Sequence, residues 1–194
     1  MTKEIVAFQG EKGAYSHLAC EEMFPKATIK TCATFEETFK MASEDINIKI
    51  MVPIENSLAG RVADIHYLLT KYKLQIYSEH FQNVEHNLLV KEGTELKDIK
   101  YVRSHVQAID QCQKIISKNK FKTIISADTA GSAKDLSTSN DKSIAAIASK
   151  LSAKIYNLKI LKSNIEDDTG NVTRFLIMGK KVNQPENVKN KKFI

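Results

Sequence analysis

The chain has 194 residues, of which 42% are hydrophobic and 27% charged, with a formal net charge of +6 at neutral pH. These fractions suit a globular protein in water, and no apolar run reaches the length that spans a bilayer, which excludes an integral membrane protein. The positive charge is dispersed, Trp is absent, and the one dense basic run lies at 189–192, so a nucleic-acid partner is not expected. A general lysine surplus attracts small anions instead.

Cys20, Cys32 and Cys112 show no metal-ligand spacing and read as small buried hydrophobes, reduced in a cytoplasm. Met1 to Glu4 runs straight into the apolar Ile5-Val6-Ala7-Phe8, which reads as a first strand rather than a cleavable signal. That strand ends at Gly10, and a helix is expected from about Ser16 to Phe24. Thr34-Phe35-Glu36-Glu37 has the form of a capping box, followed at helical spacing by Phe35, Phe39 and Ala42. Ile48 to Val52 reads as a buried strand stopping at Pro53, Arg61 to Thr70 as a helix, and Leu74 to Tyr77 as a strand.

After His80 the pattern restarts. Asn87 to Val90 and Tyr101 to Arg103 read as strands. Ser104-His105-Val106-Gln107 is a second capping-box form, opening a helix whose face is Val106, Ile109, Cys112 and Ile116. Thr123 to Ile125 reads as a strand, Asp128 as the cap of a helix over Thr129 to Leu136, and Ser143 as the cap of a helix over Ile144 to Ala153. Val172 to Met178 closes the series as a strand. The alternation argues for an α/β class with largely parallel sheets. Two such runs with a return suggest two lobes around a cleft: residues 1–77 plus 163–182 in the first, 80–160 in the second, and 183–194 as a polar tail. Crossings are expected at Ser78 to Val84 and Lys162 to Asn171, with a ligand between the lobes where strand-end loops converge.

Only three of the 29 basic residues are arginines, Arg61, Arg103 and Arg174, and each stands beside a polar motif. A planar fork is the group that meets a carboxylate through two bonds. Arg174 lies within Asn171-Val172-Thr173-Arg174-Phe175, more than a hundred positions from Pro53-Ile54-Glu55-Asn56-Ser57. Asn56 supplies donors and an acceptor, and Ser57 a hydroxyl; as pure structure they would be a cap or turn. Ser104 and Thr129 stand near helix starts, where a hydroxyl can be only a cap. The loop Gln9-Gly10-Glu11-Lys12-Gly13 can cradle an anion at a helix N-terminus or can be a tight turn. In a regular strand Thr173 and Arg174 face opposite ways, so both reach a cleft only if the strand begins at or after Arg174. Otherwise Arg174 belongs to a structural ion pair, with Glu55 or Asp168 as candidates. The five histidines form no cluster, so neither a metal site nor a cofactor is expected.

With these blocks together, the chain resembles the catalytic region of prephenate dehydratases. The likeness runs through residues 8–17, Val52 to Gly60, His86 to Val90, Ser104 with Gln107 and Gln111-Cys112, Ala145 to Ser149, Tyr156 to Leu161 and Asn171 to Phe175; it departs from the family pattern at Ala14 and Val106. The resemblance implies two α/β lobes similar to type II periplasmic binding proteins, and a cytoplasmic homodimer whose small-molecule substrate is prephenate, without a membrane or nucleic-acid partner. It implies conversion of prephenate to phenylpyruvate with loss of CO2 and water in L-phenylalanine formation. It assigns Thr173, Asn56 and Glu55 to catalysis, and Arg174, Phe175, Ser57, Ser16, Ser104, Gln107 and Thr129 to the substrate. Arogenate, a decarboxylase-like reaction on prephenate, and a non-catalytic anion-binding module are the alternatives. Met178 stands close to the end of the chain, so no C-terminal ACT regulatory domain is expected.

Overall fold

In a computed structural model, residues 4–181 are described; the tail expected at 183–194 lies outside them. The elements in order are β1 (Ile5–Gln9), α1 (Tyr15–Met23), β2 (Thr28–Cys32), α2 (Phe35–Glu44), β3 (Ile48–Asn56), β4 (Gly60–Arg61), α3 (Ala63–Tyr72) and β5 (Gln75–Asn83). They continue with β6 (Asn87–Val90), β7 (Tyr101–Ser104), α4 (Val106–Asp110), α5 (Gln113–Asn119), β8 (Lys122–Ile125), α6 (Thr129–Thr138), β9 (Ile144–Ala148), α7 (Lys150–Ile155), β10 (Lys159–Lys162) and β11 (Val172–Gly179).

Two sheets form. The first has the order β2-β1-β3-β11-β5 with β4 paired to β3, and the second β10-β6-β9-β7-β8. Both are mixed rather than largely parallel. β1 runs parallel to β2 and β3, and β7 parallel to β8 and β9, whereas β11 is antiparallel to both its neighbours and β6 to β9 and β10. The antiparallel pairs follow from the route: β11 returns from the second sheet and inserts between β3 and β5.

From Phe175 onward β11 is buried on both faces, which is why that part of its sequence reads as a continuous apolar run. Phe175 and Ile177 pack with Phe8, Ala19 and Met51 beneath α1. Leu176 and Met178 pack with Phe39, Ala42 and Ile65 beneath α2 and α3. A second core under the other sheet gathers Leu88, Val102, Ile109 and Ile147.

Several boundaries differ from expectation. The stretch after Ser143 is not one helix: Ile144–Ala148 is a central strand, and the helix begins only at Lys150 with Ser149 as its cap. Alanine favours helix as an isolated residue, but a short fully buried apolar run fits a central strand equally well, and pairing on both sides decided it. The strand expected to end at Tyr77 continues to Asn83, so the first crossing shrinks to residues 84–86. Its exposed alternation hides the second half, which is held by β11 alone. The expected helix after Ser104 is capped by His105 and breaks into α4 and α5 near Gln111. Arg61 lies in β4, with α3 starting two residues later.

Candidate active site

The site lies where β3, β11, the N-terminus of α1 and the loops before α4 and α6 meet. Two adjoining recesses occupy this cleft, of about 710 Å³ and 520 Å³, with Gln9, Tyr15, Pro53, Asp128, Thr129 and Thr173 lining both. Residues from both sheets therefore face one space.

At its floor β11 carries Thr173 opposite Asn56 of β3. The next pairs are Arg174 with Glu55 and Phe175 with Pro53, which leaves Ile54 unpaired as a bulge beside the site. Asn56 is held from both sides. Its Oδ1 accepts the backbone N–H groups of Leu58 at 3.0 Å and Ala59 at 2.8 Å. Its Nδ2 therefore faces β11, donating to Asn171 Oδ1 at 2.7 Å and Thr173 Oγ1 at 2.9 Å. An amide nitrogen is a donor only, so the Thr173 hydroxyl must accept from it. The hydroxyl hydrogen is then left to point into the cleft.

Beyond Asn56 the polar chain continues across the cleft. Asn171 Nδ2 donates to Gln111 Oε1 at 2.7 Å, and that oxygen also lies 2.8 Å from His86 Nε2. The Tyr15 hydroxyl meets His86 Nδ1 and the Glu85 carbonyl, both at 2.8 Å. Burial lowers the His86 pKa from its ordinary value, against the opposing pull of the Gln111 hydrogen bond and the Glu166 charge. Burial likewise raises that of Tyr15, assisted by the nearby Cys112, Glu166 and Glu85. Both groups are thus held neutral over ordinary pH.

The walls suit an anion. α1 has no side-chain cap at Ala14, and Ala14, Tyr15 and Ser16 line the larger recess, so the first-turn N–H groups of that helix are uncapped beside it. Arg61 lines the smaller recess, and among the described residues lining either recess it alone carries a guanidinium or ammonium group. Asp128 lines both, its Oδ1 accepting from Gly131 N–H as the cap of α6. Among the described residues no group of three or more His, Cys, Asp or Glu side chains is placed to hold a metal ion.

Of the residues expected to form the site, Thr173, Asn56, Phe175, Ser16, Gln107 and Thr129 line the cleft. Four do not. β11 begins at Val172, before Arg174, so Arg174 faces away from Thr173, and its Nε and Nη2 bind Glu79 Oε2 at 2.7 and 2.6 Å. That corrects both the carboxylate-binding expectation and the suggested ion-pair partners. Glu55 lies across from Arg174 and Arg61, exposed, and lines neither recess. Ser57 Oγ donates to the Gly170 carbonyl at 2.8 Å and accepts from Val172 N–H at 2.9 Å, which commits it to holding the β11 entry loop. Ser104 is fully buried, its Oγ donating to the Ile147 carbonyl at 2.6 Å as a tie between β7 and β9. Tyr15, His86, Gln111 and Asn171 were not singled out as site residues. All fall inside stretches that carry the resemblance, but an isolated amide or histidine has no spacing signal.

Two mixed α/β sheets flanking a polar, anion-suited cleft are the architecture of a protein that binds a small molecule between its lobes. The chain belongs to the prephenate dehydratase family, whose model matches residues 6–183. It is 41% identical over 92% of its length to a bifunctional N-acyl-homoserine lactone acylase/prephenate dehydratase of Komagataeibacter europaeus, covering 64% of that protein. It is 40% identical, again over 92% of its length, to arogenate dehydratase/prephenate dehydratase 1 of Arabidopsis thaliana, of which it covers 46%. Among solved structures, prephenate dehydratase of Arthrobacter aurescens in complex with L-Phe superposes with a TM-score of 0.84 at 27% identity, over 95% of this chain and 63% of that one. The chain thus spans about half to two thirds of the length of these relatives.

Proposed function

We propose that this chain is a lyase that converts prephenate to phenylpyruvate, CO2 and water, a step of L-phenylalanine formation. The observation that carries the reading is the Asn56–Thr173 contact, which leaves the Thr173 hydroxyl free to donate into the cleft. In the reaction the bond from C1 to its carboxylate breaks and its electron pair enters the ring. The C4–O bond breaks with its electron pair, and the departing hydroxide takes a proton from solvent to leave as water. Aromatisation supplies the driving force, so orientation and help at the leaving oxygen are what remains to be supplied. Thr173 is a weak acid. A donor placed at that oxygen, and polarised by the N–H it accepts from Asn56, describes its role better than full proton transfer.

Prephenate is a dianion. The uncapped N-terminus of α1 and the Arg61 guanidinium offer two positive poles for its carboxylates. Arg61 takes the part first expected of Arg174, and Glu55 has no part in the chemistry.

A second reading, arogenate as substrate, is favoured by one observation: the Asp128 carboxylate on the cleft wall, a partner for the ammonium that arogenate carries where prephenate has a keto group. Incubating the chain separately with prephenate and arogenate, and following phenylpyruvate and phenylalanine, tests both. Phenylpyruvate with the larger kcat/KM supports the first reading, and phenylalanine with the larger value supports the second. Consumption of neither overturns both, and a non-aromatic keto acid from prephenate would mean decarboxylation alone.

A further inference from the structure

Four side chains separate Thr173 from the second sheet, and their hydrogen bonds have a direction. Starting from the Leu58 and Ala59 N–H groups, the Asn56 amide is oriented with its nitrogen toward Asn171. Asn171 must then present Oδ1 to Asn56 and Nδ2 to Gln111, and Gln111 must present Oε1 to both Asn171 and His86. An oxygen that faces His86 Nε2 at 2.8 Å requires a hydrogen on that nitrogen. The chain of amides therefore dictates the histidine tautomer: Nε2–H, with the bare Nδ1 accepting the single hydrogen of the Tyr15 hydroxyl, and the Glu85 carbonyl beside that hydroxyl accepting from Asn87 Nδ2 at 3.2 Å.

The dependence also runs the other way. If His86 offered no hydrogen at Nε2, Gln111 could rotate its amide by half a turn at no cost on that side. Its nitrogen would then meet Asn171 Nδ2, donor against donor. Asn171 would turn in response and present a second donor to Asn56, the residue that orients the Thr173 hydroxyl. His86 is 2% exposed and Asn171 is equally buried, so water does not readily replace the lost partner.

We propose that His86 is a positioning residue for the reaction: its Nε2–H closes a relay through Gln111, Asn171 and Asn56 that fixes the donor direction of Thr173. Gln111 lies between α4 and α5 beside the second sheet and His86 in the crossing just before β6, whereas Asn56, Asn171 and Thr173 stand on or beside the first. The relay thus makes the donor at the reacting oxygen depend on the register of one lobe against the other. The crossing segments hold that register. Val84 N–H donates to the Asn171 carbonyl at 2.9 Å, the His86 N–H to Glu166 Oε2 at 2.8 Å, and Ile165 N–H to the His86 carbonyl at 2.9 Å. This inference rests on the dehydratase reading for its kinetic readout but not for the tautomer.

Two substitutions separate the relay from simple packing. His86→Gln can place an amide N–H near the position of Nε2, and the Tyr15 hydroxyl can then turn its hydrogen to the Glu85 carbonyl. His86→Asn keeps a group near Nδ1 for Tyr15 but is too short to reach Gln111. With the substrate that the wild-type protein turns over, His86→Asn is expected to lose about tenfold or more in kcat with KM little changed, and His86→Gln to restore kcat to within about threefold. Equal kcat for His86→Asn and wild type overturns the proposal, as does a loss in KM alone or an equal loss in both variants. A second measurement needs neither variant nor substrate. In the ¹⁵N spectrum of the wild-type protein above the titration of His86, Nε2 is expected protonated and Nδ1 bare, and the opposite tautomer overturns the relay even if the chain proves inactive.

Discussion

Thr173 and Arg174 share a peptide bond and face opposite sides of β11: Thr173 lines the cleft, while Arg174 lies on the other face with its guanidinium against Glu79. The period of two along a strand allows nothing else once β11 begins at Val172. One motif therefore serves two purposes, a hydroxyl facing the cleft and an ion pair holding β11 to the edge strand β5.

Thr173→Val keeps the β-branched shape and removes only the hydroxyl. Its kcat is expected to fall by about 10²–10⁴ while a bound substrate analogue dissociates as before, because the lost interaction belongs to the transition state. Steady-state kinetics with equilibrium binding of the analogue checks this, and wild-type turnover would remove Thr173 from the chemistry.

Arg174 and Glu79 should couple to each other and not to the substrate. Both side chains are nearly half exposed, 44% and 46%, so a double-mutant cycle with Arg174→Gln and Glu79→Gln is expected to give only about 0.2–1 kcal/mol. Urea unfolding measures that coupling. A large rise in KM for Arg174→Gln would return Arg174 to substrate binding.

Gly13→Ala is expected to destabilise the protein by about 1–3 kcal/mol, seen as a lower urea midpoint. The Gly13 backbone has φ +93°, and an added Cβ would come within 2.9 Å of the Ser152 Cα. The close approach is needed because Ser149 and Ser152 both donate to the Gly13 carbonyl, at 2.5 and 3.0 Å, tying the loop before α1 to α7. An unchanged midpoint would mean that this loop can lift from α7 at little cost.

Stability should fall on mild acidification. Burial lowers the pKa values of both His17 and His86 below the ordinary 6.5, and the neutral His17 Nδ1 accepts from Gly13 N–H at 3.0 Å. With the folded-state values below the unfolded ones, the unfolded chain binds more protons in that window. The histidine contribution is therefore complete above about pH 6.5 and declines as pH falls through the lowered values. Urea midpoints measured at about pH 7.5 and about pH 5.5 check the sign; a higher midpoint at the lower pH would contradict it.

The α/β class, most strand and helix positions, and the family were legible in the residues because apolar periodicity and dense polar blocks are local properties. Of the two polar blocks the sequence offered, Asn56 and Thr173 line the cleft, while Ser57 and Arg174 are taken up by structural partners. What lay beyond the sequence was direction. Whether Ile144–Ala148 is strand or helix depended on having β6 and β7 as neighbours, not on its own alanines. Whether Ser104 and Ser57 turn to the cleft or to the backbone depended on the carbonyls of Ile147 and Gly170, each dozens of positions away. Arg174 turned outward because β11 starts two residues before it, and Arg61, on a two-residue strand, came to the cleft instead. The relay from His86 to Thr173 joins residues 86, 111, 171, 56 and 173, a set that no spacing rule connects. A hydrogen bond is decided by which lone pair faces which hydrogen, and only the packed chain settles that.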